Sequence, residues 1–322
     1  MRRRDFITVL GSMAVWPLTA AAQQLPGKVW RVAWLYPGSV DTDRAVFDVF
    51  RAEMRDLGYI EGKNLIINSS GAGAEIERLP SLASALIALG PDVIVATGAD
   101  SVAAVRHATS AIPIVMCPGG EPVGSGFVKS LAHPGGNITG LADLNDDAIG
   151  KVIELLHAVL PAATRFAVLV SSNPNHPQRY QLAEAAAKAL GLVAVPLSVP
   201  SPAAIEHAFA RLVQEKCDAL VVLPDPIRPT IISLAAKMRI PTFYSATPYV
   251  AFGGLASYGA SLPPMWRKAA VYVDKIIKGA NPAELPVEQP VAFELALNLK
   301  TAAALGLTFP DTVIARADKV IE

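Results

Sequence analysis

Cysteine is scarce in this 322-residue chain, where Cys117 and Cys217 are the only two. Two thiols cannot build a disulfide framework or, by themselves, a thiolate zinc site. Net charge is lacking as well, since 28 Lys and Arg balance 28 Asp and Glu. With no basic surplus to release counterions, a nucleic-acid partner is not expected. Charged residues make up 17% against 52% hydrophobic ones, too apolar a mixture for a disordered chain. Catalytic signatures are missing too: no Walker loop, no Gly-x-Ser-x-Gly elbow, no His-Glu-x-x-His and no Cys-x-x-Cys pair occurs. Past the amino terminus, no apolar run reaches the roughly 18 residues of a membrane helix.

What is present begins with a leader. Three arginines follow Met1, Phe6 to Leu18 form an apolar run, and Ala20-Ala21-Ala22-Gln23 comes next. This basic, apolar, small-residue order is that of a secretory signal over residues 1–22, cut near Ala22. An ordinary buried first helix would instead set its arginines against the positive end of its own dipole. Arg3-Arg4-Asp5-Phe6-Ile7 resembles the twin-arginine export motif, with the Tat and Sec routes both open. Losing three arginines and one aspartate leaves the mature chain at a net charge of −2. No cysteine stands at the cut to take a lipid, so a soluble periplasmic protein is expected.

The remainder alternates strand and helix. Strands are expected at 29–36, 65–68, 93–96, 114–116, 166–170, 193–197, 219–223 and 242–244. Helices are expected at 41–57, 76–89, 100–109, 146–160, 178–190, 203–215 and 229–238. Short apolar strands between helices of 10 to 17 residues indicate parallel sheets covered on both faces. The run Asp92 to Asp100, with Ile112-Pro113-Ile114 after it, parallels Asp218 to Pro226 with Ile240-Pro241-Thr242. Two similar lobes would explain this, although any two βαβ units look alike. Ligands in such sheets gather where strand ends lead into helix N-termini. The loops to watch are 37–41, 97–101, 117–120, 171–174, 224–228 and 244–249.

Chemical candidates within this frame are few. Gly71-Ala72-Gly73-Ala74-Glu75-Ile76 lacks the third glycine of a dinucleotide fingerprint and is explained by a glycine turn. His107, His133, His157, His176 and His207 are scattered singly, as surface or satisfied histidines are. Cys117, just past a strand end, has no identifiable base partner, and Cys217 is read as a small buried hydrophobe. Asn137-Ile138-Thr139 fits a glycosylation sequon that turn chemistry also explains. Asp225 and Asp100 follow apolar strands and could either meet a ligand or cap the next helix. Tyr36, Tyr244, Tyr249 and Tyr258 could each supply a flat wall or pack in a core.

Several segments resemble one family. Gly135 to Gly140 (GGNITG), Asp218 to Asp225 (DALVVLPD), Gly253 to Gly259, Ala269 to Gly279, Leu285 to Pro290 and Phe293 to Leu307 are similar to ABC-transporter substrate-binding proteins, which include tryptophan- and other aromatic amino-acid-binding members. The resemblance spans nearly the whole mature chain and is most specific in its last third. It implies an α/β fold of the type I periplasmic binding protein class, two Rossmann-like lobes with parallel sheets joined by three crossovers. Lobe 1 would take 28–141 and 260–285, and lobe 2 would take 142–259 and 286–322, with crossovers near Leu141, Gly259 and Pro286. Many members carry Gly-Asp-Pro-Val-Gly where this chain has Gly120-Glu121-Pro122-Val123-Gly124, which puts an acid contact to ligand there in doubt.

The resemblance further implies a receptor that catches a small solute, an amino acid of aromatic or branched type, by hinge closure. It would act as a monomer, without cofactor, metal or catalysis, and deliver its ligand to an inner-membrane ABC permease. Expected ligand contacts are Tyr36, Ser39, Thr97, Gly98 and Asp100 from one lobe and Asn173, Asp225 and Tyr244 from the other. Thr97, Gly98 and the helix N–H groups near Asp100 would hold a carboxylate. Asp225 would pair with an ammonium, and Tyr36 or Tyr244 would stack on the side chain. A sensory module for a membrane receptor would share all these features. An exported α/β enzyme would need a nucleophile, and only Cys117 and the scattered histidines are available.

Overall fold

The computed structural model describes residues 28–143, 145–224, 228–290 and 292–322. The leader over residues 1–22 and Asp225 lie outside the described residues. The first sheet is built from β1 (Trp30–Tyr36), β2 (Leu65–Gly71), β3 (Val93–Ala96), β4 (Ile114–Met116) and β5 (Ile138–Gly140). All four pairings are parallel, in the order β2-β1-β3-β4-β5. Helices α1 (Val40–Asp56), α2 (Leu79–Ala88) and α3 (Gly98–Ala108) connect these strands. β3 and β4 are buried along their whole length, as strands covered on both faces must be.

After β5 the chain enters α4 (Asn145–Val159) and a second sheet. Its strands are β6 (Arg165–Ser171), β7 (Val193–Val199), β8 (Ala219–Val222), β9 (Thr242–Tyr244), β10 (Ala256–Ala260), β11 (Phe293–Asn298) and β12 (Lys319–Ile321). The order is β12-β11-β10-β9-β8-β6-β7. Between them run α5 (His176–Ala189), α6 (Ile205–Gln214), α7 (Arg228–Met238) and the single turn α8 (Pro248–Ala251). From β10 the chain returns to the first sheet as α9 (Leu262–Ile277), whose Met265, Trp266, Ala269 and Val273 share a core with Val32, Trp34 and Phe50. It then comes back as β11, followed by α10 (Leu299–Leu305), α11 (Asp311–Ile314) and β12.

Two expectations need correction. The second sheet is not wholly parallel, because β11 runs antiparallel to β10. The chain re-enters from α9 beside the end of β10, where Ser261 N donates to Ala292 O at 3.0 Å, so β11 can only run backwards. The helices expected at 76–89 and 203–215 each begin as a 3₁₀ turn, at Ile76–Arg78 and Pro202–Ala204, before α2 and α6. Pro80 lacks the N–H that an α-helix begun at Ile76 would donate to the Ile76 carbonyl, whereas Pro202 simply opens the second turn.

The repeated Asp92 and Asp218 have one local role. Asp92 Oδ2 accepts from Arg31 N at 2.8 Å, and Asp218 Oδ2 accepts from Arg165 N at 3.1 Å. Each carboxylate thus fastens the foot of one strand, β3 or β8, to the foot of its neighbour, β1 or β6. The three passages between sheets lie side by side. Ala142 N donates to Glu288 O at 2.9 Å, and Glu288 N donates to Gly140 O at 3.0 Å. Lys268 and Tyr272 of α9 hold the Glu288 side chain, and the lysine pulls its carboxyl below the usual range. Among the described residues, no helix is long and apolar enough to cross a membrane.

Candidate functional site

The carboxyl ends of the two sheets enclose a cavity of about 210 Å³. Strand-end loops supply Pro37, Thr97, Pro118, Gly120, Asn173, Pro224, Ser245 and Ala246. Helices contribute Asp43 and Val46 from α1, Asp100 from α3, Arg179 from α5 and Trp266 from α9. Aromatic rings enter from both sides, Trp266 from the first and Tyr249 with Phe252 from the second. Among the described residues, no group of His, Cys, Asp and Glu could hold a metal ion.

The first wall is built on stacked aromatic residues. Trp34 lies on Phe47 with ring centroids 4.1 Å apart and on Trp266 at 5.0 Å. Trp34 Nε1 donates to Thr97 Oγ1 at 2.9 Å, so Thr97, the residue preceding α3, spends its hydroxyl on the core. α3 opens at Gly98, two residues ahead of the expected start, and Asp100 falls in its first turn. Asp100 therefore does not precede the helix as a capping residue would.

The second wall is organised by α5. Arg179 is 1% exposed at its side chain, and its Nη2 donates to Asp143 Oδ1 at 2.5 Å while Nε donates to Asp146 Oδ1 at 2.9 Å. Asn175 precedes α5 without capping it, and its Oδ1 accepts from Ser125 Oγ at 3.0 Å. His176 is buried, accepting at Nδ1 from Ser171 N at 2.9 Å with Nε2 lying 3.1 Å from Pro224 O. The Nδ1 acceptor fixes the tautomer, so Nε2 carries the proton and donates to the carbonyl. Burial, and next the nearby Arg179 charge, lower the His176 pKa to about 4. A neutral imidazole thus ties the loop after β6 to the loop after β8.

Of the expected contacts, Thr97, Gly98, Asp100 and Asn173 line the cavity. Ser39 is half-buried, with its backbone carbonyl accepting from Asp43 N, and is not among the lining residues. Tyr36 and Tyr244 are core residues rather than walls. Tyr36 is 1% exposed and meets Phe47 edge-on, while Tyr244 is fully buried and stacks at 4.6 Å behind Tyr249. Strand ends alternate inward and outward, and both tyrosines point into their lobes. Glu121 folds back on its own turn, accepting from Val123 N and Gly124 N, and does not reach the cavity.

Asp143, Asn175, Arg179, Phe252 and Trp266 also line the cavity, from helices and connections outside the strand-end loops to which the sequence points. Cys117 is buried near Met265, and burial alone drives its thiol pKa well up, which opposes a nucleophilic role. Both cysteines are free.

Comparison with known proteins agrees with this architecture. A tyrosine-binding protein of Clostridioides difficile is 28% identical over 263 residues, covering 80% of this chain and 75% of the relative. A conserved domain protein of Vibrio cholerae O1 biovar El Tor superposes with a TM-score of 0.84 at 29% identity, over 91% of this chain and 100% of that one. The ABC domain of Streptococcus pneumonia in complex with L-Trp gives 0.81 at 26% identity, over 91% and 99%. Residues 37–321 match the family described as ABC transporter substrate binding protein, and the chain belongs to that family.

Proposed function

We propose that this protein is an exported receptor that captures an amino acid with an aromatic side chain and presents it to an ABC permease in the membrane. The observation that carries this reading is the lining of the inter-sheet cavity. It combines Asp43, Asp100, Asp143 and Arg179 with the aromatic rings of Trp266, Tyr249 and Phe252. Carboxylates suit an ammonium, and the N-terminus of α3 at Gly98 suits a carboxylate. Flat rings drawn from two walls suit a flat side chain. The tyrosine-binding relative and the L-Trp complex support the same ligand class.

The lobes, parted near Leu141, Gly259 and Pro286, close over the ligand by rotation about these passages. Binding then shifts the open-closed equilibrium by the difference in ligand affinity between the two forms. Ser39, next in sequence to α1, and Asp225, next in sequence to the cavity-lining Pro224, are further candidates for ligand contact. The protein acts as a single copy without cofactor. Isothermal calorimetry of the mature protein against a panel of amino acids tests the reading, with L-tyrosine or L-tryptophan expected to bind at micromolar or lower concentration. Heat from a sugar or an organic acid, with none from any amino acid, would overturn it.

A further inference from the structure

The glycine turn that follows β2 meets the second lobe. Gly71 has no room for a side chain, since a Cβ there would lie 2.4 Å from the Tyr36 ring and 2.7 Å from Gly38 O. The turn is seated on the loop after β1 by Ala72 N to Tyr36 O at 3.0 Å, Gly73 N to Gly38 O at 2.8 Å and Ala74 N to Pro37 O at 2.8 Å. It therefore moves as part of the first lobe. Ala74 has a φ of +70°, which an alanine seldom adopts and which persists only where surrounding contacts enforce it.

The hydrogen bonds to the loop after β1 hold that conformation, and the alanine side chain reaches the other lobe. Ala74 packs against the second lobe's core cluster, which includes Val199, Ile205 and Tyr249. Around it, Ile76 and Glu77 face Ser171, Ser172 and Val199 to Pro202 across a gap of only about 20 Å³. Asp100 lines both this gap and the main cavity, so the contact adjoins the ligand site.

Its position in the two sheets gives this contact leverage. β2 and β7 are edge strands, at the opposite side of their sheets from β5 and from the β10–β11 pair, where the chain passes between lobes. Rotation about those passages displaces the far edges most. A contact there exists in the closed form and is lost in the open one, so its full strength enters the closing equilibrium. The Ser125–Asn175 hydrogen bond, by contrast, lies beside the loop that Asp143 N joins through Gly120 O.

We propose that residues 71–76 and 199–202 form a clasp on the edge of the cleft remote from the hinge, with Ala74 as the positioning residue that holds the receptor closed over its ligand. This rests on the receptor reading and adds to it a contact that tunes affinity without touching the ligand. Ala74→Gly keeps the left-handed backbone and deletes the methyl. Ala74→Asn also tolerates that backbone but adds bulk where the two lobes meet.

Calorimetry with L-tyrosine and L-tryptophan should show binding weakened about three- to fivefold by Ala74→Gly and on the order of tenfold by Ala74→Asn. The preference between the two amino acids should be unchanged, and the thermal stability of the ligand-free protein should not fall, since glycine and asparagine both suit the left-handed backbone better than alanine does. Amide exchange at Ser171, Ser172, Val199 and Ser201 is followed in parallel, without ligand and with each amino acid. Slowed exchange in the wild type, relieved in both variants, supports the clasp even if neither amino acid binds, an outcome that would overturn only the amino-acid assignment. Exchange that is never slowed in the wild type, or is slowed equally in all three proteins, overturns the clasp.

Discussion

Arg179 and Asp143 form a buried ion pair, with Nη2 2.5 Å from Oδ1 and side-chain exposures of 1% and 8%. The pair joins α5 to the connection between β5 and α4, at the point where the chain leaves the first sheet. Asp146 accepts from the same guanidinium, so one cation faces two carboxylates. Removing Arg179 leaves both carboxylates without their counter-charge, whereas removing Asp143 leaves the cation paired with Asp146 alone. Arg179→Met should therefore lower stability by about 3–5 kcal/mol, and Asp143→Ala by less, read from urea unfolding. A conformational role without energetic weight would leave the unfolding midpoint within experimental scatter of wild type.

His176 gives the fold a dependence on pH. Its folded-state pKa is lowered to about 4, first by burial and then by Arg179. Unfolded histidine titrates near pH 6.5, so between these values the unfolded chain binds the extra proton. Stability from this group is complete above about pH 6.5, declines as pH falls, and is gone below about pH 4, a total of about 3 kcal/mol. His176→Asn should flatten the slope of unfolding free energy over that interval at the cost of lower stability at neutral pH. An unaltered slope in the variant would assign the acid sensitivity to other groups.

Much of this arrangement is legible in the sequence, and what is not has physical causes. Val93–Ala96, Ile114–Met116 and Thr242–Tyr244 are short apolar runs bracketed by turn residues, so their bounds follow from patterning alone. The cavity formed where strand ends open into helices, which is why Thr97, Gly98, Asp100 and Asn173 line it. Arg179 gave no comparable sign, because an arginine in an alanine-rich helix reads as solvated until its two carboxylates are seen beside it. Trp266 reaches the site only because the chain returns after β10 and packs α9 on the first sheet. Tyr36 and Tyr244 misled for a different reason. Proximity to a strand end fixes where a residue is along the sheet and leaves open which face it points to.

Gly140 ends β5 with a φ of +123°, and a Cβ there would lie 2.4 Å from Met116 O and 2.8 Å from Met116 N. Both obstructing atoms are backbone of the neighbouring strand, so no side-chain rotation can relieve the overlap. Gly140→Ala should cost about 3–5 kcal/mol through strain and forced separation of β4 and β5. Because Gly140 O also accepts from Glu288 N, the distortion falls on two of the passages between lobes. Ligand affinity should weaken along with the thermal midpoint, and a variant with wild-type values of both would contradict the packing described for this strand.

Trp266 offers an optical reading of the cavity. Its ring is buried against Trp34 at a centroid distance of 5.0 Å and lines the site from α9. A ligand ring placed near it would alter both the polarity and the stacking around the indole. Intrinsic fluorescence should change on titration with L-tyrosine, which can be followed with excitation selective for tryptophan. Trp266→Phe should remove most of that change and weaken binding by about 1–2 kcal/mol, since a ring remains but its area is smaller. Trp30, at the amino end of β1 beside Lys28 and so at the far end of the strand from the cavity, serves as the internal control, because Trp30→Phe should leave the titration intact. Equal loss of signal in both variants would place the optical change outside the cavity.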